Sequence, residues 1–196
     1  MSRTPDFKIK ADILEKVIFS ISYKGLNNLS LRDIAREVGM SARMLIYHFE
    51  SYDNLINSIF IYLSTRHKNM IKDLLTENSD KTLGEVTQIF IETIYIDENK
   101  KYLLLFLELY VKALRDVEKY SDFFNEVLHN WIDEIENIIS RKYGIKSKSY
   151  ASMILSFYRG LMLEWLASND DKRIIESSRL FSVIINNLMI KAPDNK

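Results

Sequence analysis

The sequence predicts an all-α protein, and three observations support this fold class. The 196-residue chain has only five glycines and two prolines, whereas sheet proteins use many of both in tight turns. Apolar residues recur at helical spacing along most of the chain, and no segment alternates apolar and polar residues as a half-buried strand would. With 47% hydrophobic residues, the chain can bury a substantial core.

The first predicted helix ends at Gly25, because glycine adopts a left-handed C-terminal conformation at little cost. Its apolar stripe consists of Ile13, Leu14, Val17, Ile18 and Ile21. A second, short helix begins after Ser30, whose side chain suits an N-cap and pairs with Asp33 in a capping box. Gly39 ends this second helix.

Serines that can act as N-caps also predict where the third and fourth helices begin. Ser41 caps a third helix, and Ser51 caps a fourth that carries Asp53 in its first turn, where the helix dipole favours an acid. The fourth helix keeps one apolar stripe to about residue 75. Later helical patterns, separated by short polar loops, cover residues 82–96, 100–114, 121–142, 148–168 and 171–190.

Composition and missing motifs exclude several classes of protein. The chain has no cysteine, which excludes disulfides, thiol catalysis and cysteine zinc sites and fits a cytoplasmic protein. The N-terminus has no apolar signal segment. The longest apolar segment, residues 150–167, contains Arg159 and Glu164, so we expect no membrane span. His67 and His129 have no partner at ligand spacing, and catalytic motifs are absent. We therefore predict no metal, no cofactor and no enzymatic activity.

A helix, a glycine turn and a short second helix form the helix-turn-helix pattern. In this motif the second helix enters the major groove of DNA. Leu45 and Phe49 are four residues apart and can both face the core, which leaves a polar outward face. Arg43 on that face suits guanine O6 and N7, whereas Tyr47 and His48 suit phosphates. The alternative is an ordinary helical hairpin with exposed polar side chains.

Residues 29–56, LSLRDIAREVGMSARMLIYHFESYDNLI, resemble the DNA-binding signature of the tetracycline-repressor (TetR/AcrR) family. The shared features are the preceding helix that ends in glycine, the IA..VG.S turn, and an aromatic ending followed by serine and an acid. The resemblance covers about residues 8–60. It implies a three-helix DNA-binding domain at residues 1–51 and a helical effector-binding and dimerisation domain at residues 52–196, with the helix at 52–75 connecting them.

The resemblance also implies roles for individual residues. Arg32 corresponds to a residue that reads a base, residues 42–44 form the base-reading start of the recognition helix, and Tyr47 and His48 lie at its phosphate-contacting end. The candidate residues for contact with a double-stranded DNA operator are Ser30, Arg32, Ser41, Ala42, Arg43, Met44, Tyr47, His48 and Tyr52.

Two positions depart from the family pattern. Ile46 stands where many relatives have tyrosine, and Tyr52 stands where many have a lysine that binds phosphate. Phosphate binding is then expected to depend more on Arg3, Lys8 and Lys10, in a predicted N-terminal arm. These departures keep open a second interpretation, a dimeric helical ligand-binding or interaction protein whose DNA-binding head is weak or decayed.

For the second domain, the resemblance implies a small-molecule effector and a homodimer. Ser152, Ser156 and Gly160 follow one another at intervals of four, a spacing of small residues that lets another helix approach closely. We therefore expect the helices at 148–168 and 171–190 to pair with their copies in a dimer. Aromatic residues favour an apolar or aromatic effector. The candidate ligand-binding residues are Phe90, Tyr102, Phe106, Glu108, Tyr110, Trp131, Phe157, Tyr158, Met162 and Trp165.

Overall fold

The computed structural model describes residues 4–26 and 29–191, with side chains from residue 8 onward, and the regular elements in these ranges are all helical. The predicted all-α fold is confirmed. The helices are α1 Thr4–Lys24, α2 Leu31–Glu37, α3 Ala42–Phe49, α4 Tyr52–Glu77, α5 Leu83–Ile94, α6 Asp97–Leu114, α7 Ser121–Phe124, α8 Asn130–Tyr143, α9 Lys148–Ser168 and α10 Asp171–Lys191. A π-helical turn, Asn125–His129, connects α7 to α8.

The predicted ends of the first helices are confirmed. Gly25 has a φ of 77°, and its N–H donates to the Ile21 carbonyl at 2.8 Å, which ends α1. At the start of α2, the Asp33 N–H donates to Ser30 Oγ at 3.3 Å, and the Ser30 N–H donates to Asp33 Oδ2 at 3.0 Å. These two bonds complete the capping box, and hydrogen bonding from Ser30 lowers the pKa of Asp33.

The helical segment predicted over residues 121–142 is observed, with a change of helix type in its middle. The chain stays helical there but widens into the π-helical turn between α7 and α8. Inside this turn the Val127 carbonyl accepts a hydrogen bond of 2.5 Å from the Arg159 guanidinium of α9. A hydrogen bond over 32 residues leaves no mark in the local apolar pattern, so the pattern predicts an uninterrupted α-helix.

Contacts divide the chain into two compact units. The first unit is Met1–Thr65 with Lys101–Phe123, and the second is Arg66–Lys100 with Phe124–Lys196. All three divisions fall inside helices, namely α4, α6 and α7. Residues 101–123 therefore group with the helix-turn-helix, whereas the predicted domains place them in the second domain. The predicted boundary between residues 51 and 52 stays a prediction.

The core of the first unit joins the first three helices to the start of α4 and to the end of α6. The apolar stripe of α1 is buried as predicted, and Leu105 and Leu109 of α6 are also buried in this unit. Phe60 of α4 stacks on Phe123, with ring centroids 3.7 Å apart. The C-terminal half of α6 is thus part of the body that supports the helix-turn-helix.

The second unit is built around the packing of α5 on α10 and of α8 on α9. Gly84 allows the close approach of α5 to α10, because a Cβ at this position would collide with the Ser182 carbonyl of α10. The Gly84 N–H donates to Asn186 Oδ1 at 3.0 Å, and Asn186 Nδ2 donates to Thr82 Oγ1 at 3.0 Å. Phe157 of α9 stacks on Phe181 of α10 at 3.6 Å between centroids.

Candidate nucleic-acid interface

The turn between α2 and α3 has the features of a helix-turn-helix. Gly39 has a φ of 71°, and a Cβ on it would meet no atom within 4 Å, so backbone conformation rather than crowding favours glycine. Ser41 caps α3, with its Oγ accepting from the Met44 N–H at 3.2 Å. These local interactions fix where α3 begins and therefore which of its side chains point outward.

Helix α3 has one buried face and one exposed face. Leu45 and Phe49 are 0% and 1% exposed, as their spacing predicts. Arg43 is exposed, Met44 is 52% exposed, and Tyr47, at 79%, is among the most exposed large side chains of the described chain. The predicted outward face of the recognition helix is therefore available for contact.

The remaining candidate DNA-contacting residues lie on or beside α3. Ser30, Arg32 and Ser41 are exposed, whereas Ala42 and His48 are half-buried. The His48 ring lies edge-on to the Tyr47 ring, 5.2 Å away between centroids. The residues named here thus lie on α2, on α3 or at the N-caps of these helices, while their contacts with DNA stay a prediction.

The residues that join the recognition helix to α4, 49–53, are here called the α3–α4 junction. The Glu50 N–H donates to the Ile46 carbonyl at 2.6 Å, and Glu50 has a φ of 66°, which ends α3. Ser51 then caps α4 as predicted, accepting from the Asn54 N–H at 3.0 Å. Tyr52 is half-buried at the first position of α4, and burial raises its pKa.

Three lysines from distant parts of the sequence approach this junction. Lys10 Nζ lies 5.1 Å from the Phe49 ring centroid, and Lys112 Nζ lies 5.7 Å from the Tyr52 ring centroid. Lys119 Nζ forms a salt bridge of 2.8 Å with Asp53 Oδ2. Sequence reasoning missed Lys112 and Lys119, because no local pattern links them to residues about sixty positions earlier in the chain.

The N-terminal basic residues differ from the predicted arm. Lys8 and Lys10 belong to the regular helix α1, with Lys8 exposed and Lys10 half-buried against the α3–α4 junction. A helix fixes their positions more firmly than an arm would. Arg3 lies outside the described residues.

The family comparison agrees with this geometry. Residues 19–59, which run from the end of α1 into α4, match the family of bacterial regulatory proteins called the tetR family. Over this segment the chain has the DNA-binding domain of TetR-family transcriptional regulators. The predicted family, its helix-turn-helix and its DNA-binding class are confirmed.

Individual relatives extend the similarity of this chain beyond the motif. The HTH-type transcriptional regulator YvdT of Bacillus subtilis (strain 168) is 28% identical over 149 residues, which are 74% of this chain and 75% of YvdT. A protein from Rhodococcus sp., described as a TetR-family regulator, shares the fold at a TM-score of 0.70, with 21% identity over 92% of this chain and 98% of that one.

The multidrug binding protein EbrR, solved in complex with imidazole, shares the fold at a TM-score of 0.63. It is 17% identical to this regulator, over 86% of this chain and 92% of that one. EbrR has also been solved in complex with malachite green. At these identities the solved structures establish the fold alone.

The candidate ligand-binding residues of the regulator divide between its two units. Those on α6 belong to the first unit. Phe106 and Tyr110 lie 5.9 Å apart between ring centroids, and Tyr110 lies edge-on to Phe123. Glu108 Oε2 accepts a hydrogen bond of 2.7 Å from the backbone N–H of Leu26, just after α1. Tyr102 is half-buried on the same helix.

The candidates on α5, α8 and α9 belong to the second unit, where several pack together. Phe90 lies edge-on to Tyr158 at 5.2 Å, and burial raises the pKa of the Tyr158 phenol. Trp165 is fully buried, stacks on Tyr95 at 5.2 Å, and donates from Nε1 to Asp171 Oδ1 at 2.6 Å. Of the remaining candidates, Met162 is buried, and Phe157 and Trp131 are half-buried.

Tyr95 belongs to this aromatic cluster although sequence reasoning did not select it. Its hydroxyl donates to the Tyr158 carbonyl at 2.8 Å, and burial raises its pKa. The sequence did contain a signal for Tyr95, because this residue lies at the end of α5, the helix that carries the candidate Phe90.

The described residues contain neither a candidate membrane span nor a candidate metal site. No helix in the described ranges has both the length and the apolar character needed to cross a membrane. No group of three or more His, Asp or Glu side chains there is arranged to hold a metal ion.

Proposed function

We propose that this regulator is a homodimeric, ligand-responsive repressor that binds a palindromic operator and is released from it by a small apolar or aromatic effector. The observation that carries the proposal is the two-faced recognition helix. Leu45 and Phe49 anchor α3 in the first unit, while Arg43, Met44 and Tyr47 stay exposed. An exposed arginine near the start of a recognition helix suits bidentate contact with guanine.

The exposed face of α9 and α10 supports the proposed dimer. Met153 and Leu163 of α9 are 39% and 52% exposed, with Gly160 between them, and a Cβ on Gly160 would meet nothing within 4 Å. On α10 the exposed apolar side chains are Leu180, Val183, Ile184 and Ile190. Contiguous apolar surface on two adjacent helices is characteristic of protein interfaces.

The exposed apolar side chains of α10 lie on a different face of the helix from its buried ones. Ile174, Phe181, Ile185 and Met189 of α10 are buried within their own unit. The helix therefore has two apolar faces, one inside the unit and one exposed, and the second is the face that we assign to the partner copy.

The aromatic cluster around Tyr95, Tyr158 and Trp165 supports an aromatic or apolar effector, because stacked rings in an apolar core offer surfaces that suit such ligands. The fold relative EbrR is described as a multidrug binding protein and was solved with malachite green, a compound of this class. Effector binding that favours a different separation of the two DNA-binding units lowers operator affinity through a population shift.

An electrophoretic mobility shift with the protein's own upstream DNA tests the DNA-binding function. We expect specific, salt-sensitive binding, since phosphate contacts release counterions. Arg43→Ala should relax sequence discrimination by about 1–3 kcal/mol at one base pair per half-site, whereas His48→Ala should weaken binding to all sequences alike. Equally weak binding of the wild type to every duplex would instead support a ligand-binding or interaction protein with a decayed DNA-binding head.

Two further measurements test the dimer and the effector. Sedimentation at micromolar concentration should give a dimer, and Ile184→Asp should give a monomer by placing a charge on the exposed face; a wild-type monomer contradicts the proposal. Malachite green should raise the melting temperature and release the operator. If it does neither, the proposal of an aromatic effector is contradicted.

A further inference from the structure

The α3–α4 junction directly follows the recognition helix, yet none of its own side chains carries a positive charge for a DNA phosphate. Its sequence, Phe-Glu-Ser-Tyr-Asp, contains the acids Glu50 and Asp53 and no basic residue. Two negative charges beside a recognition helix would repel the DNA backbone. The sign of the charge around the junction therefore depends on the lysines that lie close to it.

We propose that Lys10, Lys112 and Lys119 form a phosphate clamp at the α3–α4 junction, so that its backbone-binding cations come from α1, α6 and the loop before α7. The proposal rests on the proposed DNA-binding function and adds residues to that interface. The three lysines place three ammonium groups beside a junction whose own charged residues are two acids, and these ammonium groups attract a phosphate. Asp116 is a further acid near Lys119.

Lys10 and Lys112 are positioned near the junction without being neutralised there. Each ammonium group lies over an aromatic ring, Phe49 and Tyr52 respectively. Among the described side chains, neither lysine forms a salt bridge. Such a contact attracts the ammonium group to the face of the ring and uses none of its N–H donors in a hydrogen bond to a carboxylate. The ring therefore holds the ammonium group near the junction and leaves its N–H donors for a phosphate oxygen.

Lys119 is held differently and is expected to contribute least. Its ammonium group is paired with Asp53 at 2.8 Å, and both side chains are close to half exposed. Exposed pairs of this kind are worth about 0–1 kcal/mol, so a phosphate can compete for the lysine. Replacing Asp53 by asparagine removes a negative charge and frees Lys119 at once, and it should therefore strengthen DNA binding.

The test is a salt titration of DNA affinity, measured by fluorescence anisotropy between about 50 and 200 mM KCl. The probes are a labelled duplex from the protein's own upstream region and a scrambled duplex of equal length. We compare the full-length wild type with Lys112→Gln, Lys10→Gln and Asp53→Asn. The matched control is Lys16→Gln, an exposed lysine on α1 that lies about 240° around the helix from Lys10.

We expect Lys112→Gln and Lys10→Gln each to make the slope of log K against log salt shallower by about 0.9 per bound protomer. Affinity should fall by the same factor on both duplexes, because phosphate contacts carry no sequence information. Lys16→Gln should keep the wild-type slope, and Asp53→Asn should raise the affinity.

Unchanged slopes for both Lys112→Gln and Lys10→Gln, in a wild type that prefers its own upstream duplex, overturn the clamp and leave the proposed function intact. A wild type with no preference between the duplexes overturns the proposed function itself. If Asp53→Asn lowers the affinity, the clamp is also wrong, since the lost acid would then have been supporting DNA binding.

Discussion

The hydrogen bond between Glu108 and the backbone of Leu26 gives a quantitative prediction for the first unit. The bond is 2.7 Å long and spans 82 residues, and Leu26 is only 2% exposed. Glu108→Ala removes the acceptor and leaves a buried N–H unpaired. Hydrogen bonds to charged groups contribute about 1.5–3 kcal/mol, so the free energy of unfolding should fall by that amount. Glu108→Gln keeps an acceptor of the same length and should cost about 1 kcal/mol or less.

Urea denaturation followed by circular dichroism measures this effect. The midpoint should fall in the order wild type, Glu108→Gln, Glu108→Ala, with an unchanged m-value, because the surface exposed on unfolding stays the same. Glu118→Ala, which truncates an exposed glutamate in the loop after α6, is the control and should change stability by less than about 0.5 kcal/mol.

The outcome separates a structural role for Glu108 from its sequence-predicted role in ligand binding. If Glu108→Ala unfolds at the wild-type urea concentration but no longer releases DNA in response to an effector, the structural reasoning is refuted. A loss of stability with an intact effector response supports it.

Two other predictions concern Gly84, which is buried, and His67, which is half-buried. Gly84→Ala should lower the melting temperature and cost about 1–3 kcal/mol, because the new Cβ collides with the Ser182 carbonyl; an unchanged thermal unfolding curve contradicts the close packing of α5 on α10. Burial, followed by the nearby charge of Arg66, lowers the pKa of His67 to about 4. The unfolded chain binds this proton more readily, so stability should be complete above about pH 6.5 and fall by about 2–3 kcal/mol toward pH 4. His67→Gln should remove that part of the pH dependence in denaturation curves, and an unaltered pH profile counts against it.

The local sequence predicted the helix-turn-helix well, because its signals act over three or four residues. The caps at Ser30, Ser41 and Ser51 and the left-handed glycine Gly25 all lie where the sequence placed them. The burial of Leu45 followed from helical spacing alone. The same signals carried the family resemblance, which the match over residues 19–59 supports.

Contacts between residues that are distant in the sequence were not predicted, and they change the interpretation of particular side chains. Glu108 was selected as a ligand-binding residue, but its carboxylate accepts from the backbone after α1. Arg159 interrupts the apolar pattern of its helix, and its guanidinium donates to a carbonyl in a π-helical turn. Each contact joins segments that are tens of residues apart, so no periodic pattern records it.

By itself, the sequence determined the helical class, the family and the residues that face outward from the recognition helix, because helix periodicity and capping are local properties of the chain. Only the tertiary structure decided which unit the end of α6 belongs to and which lysines stand beside the α3–α4 junction. Packing brings residues 112 and 119 to residues 52 and 53, and that proximity depends on how the helices fold together.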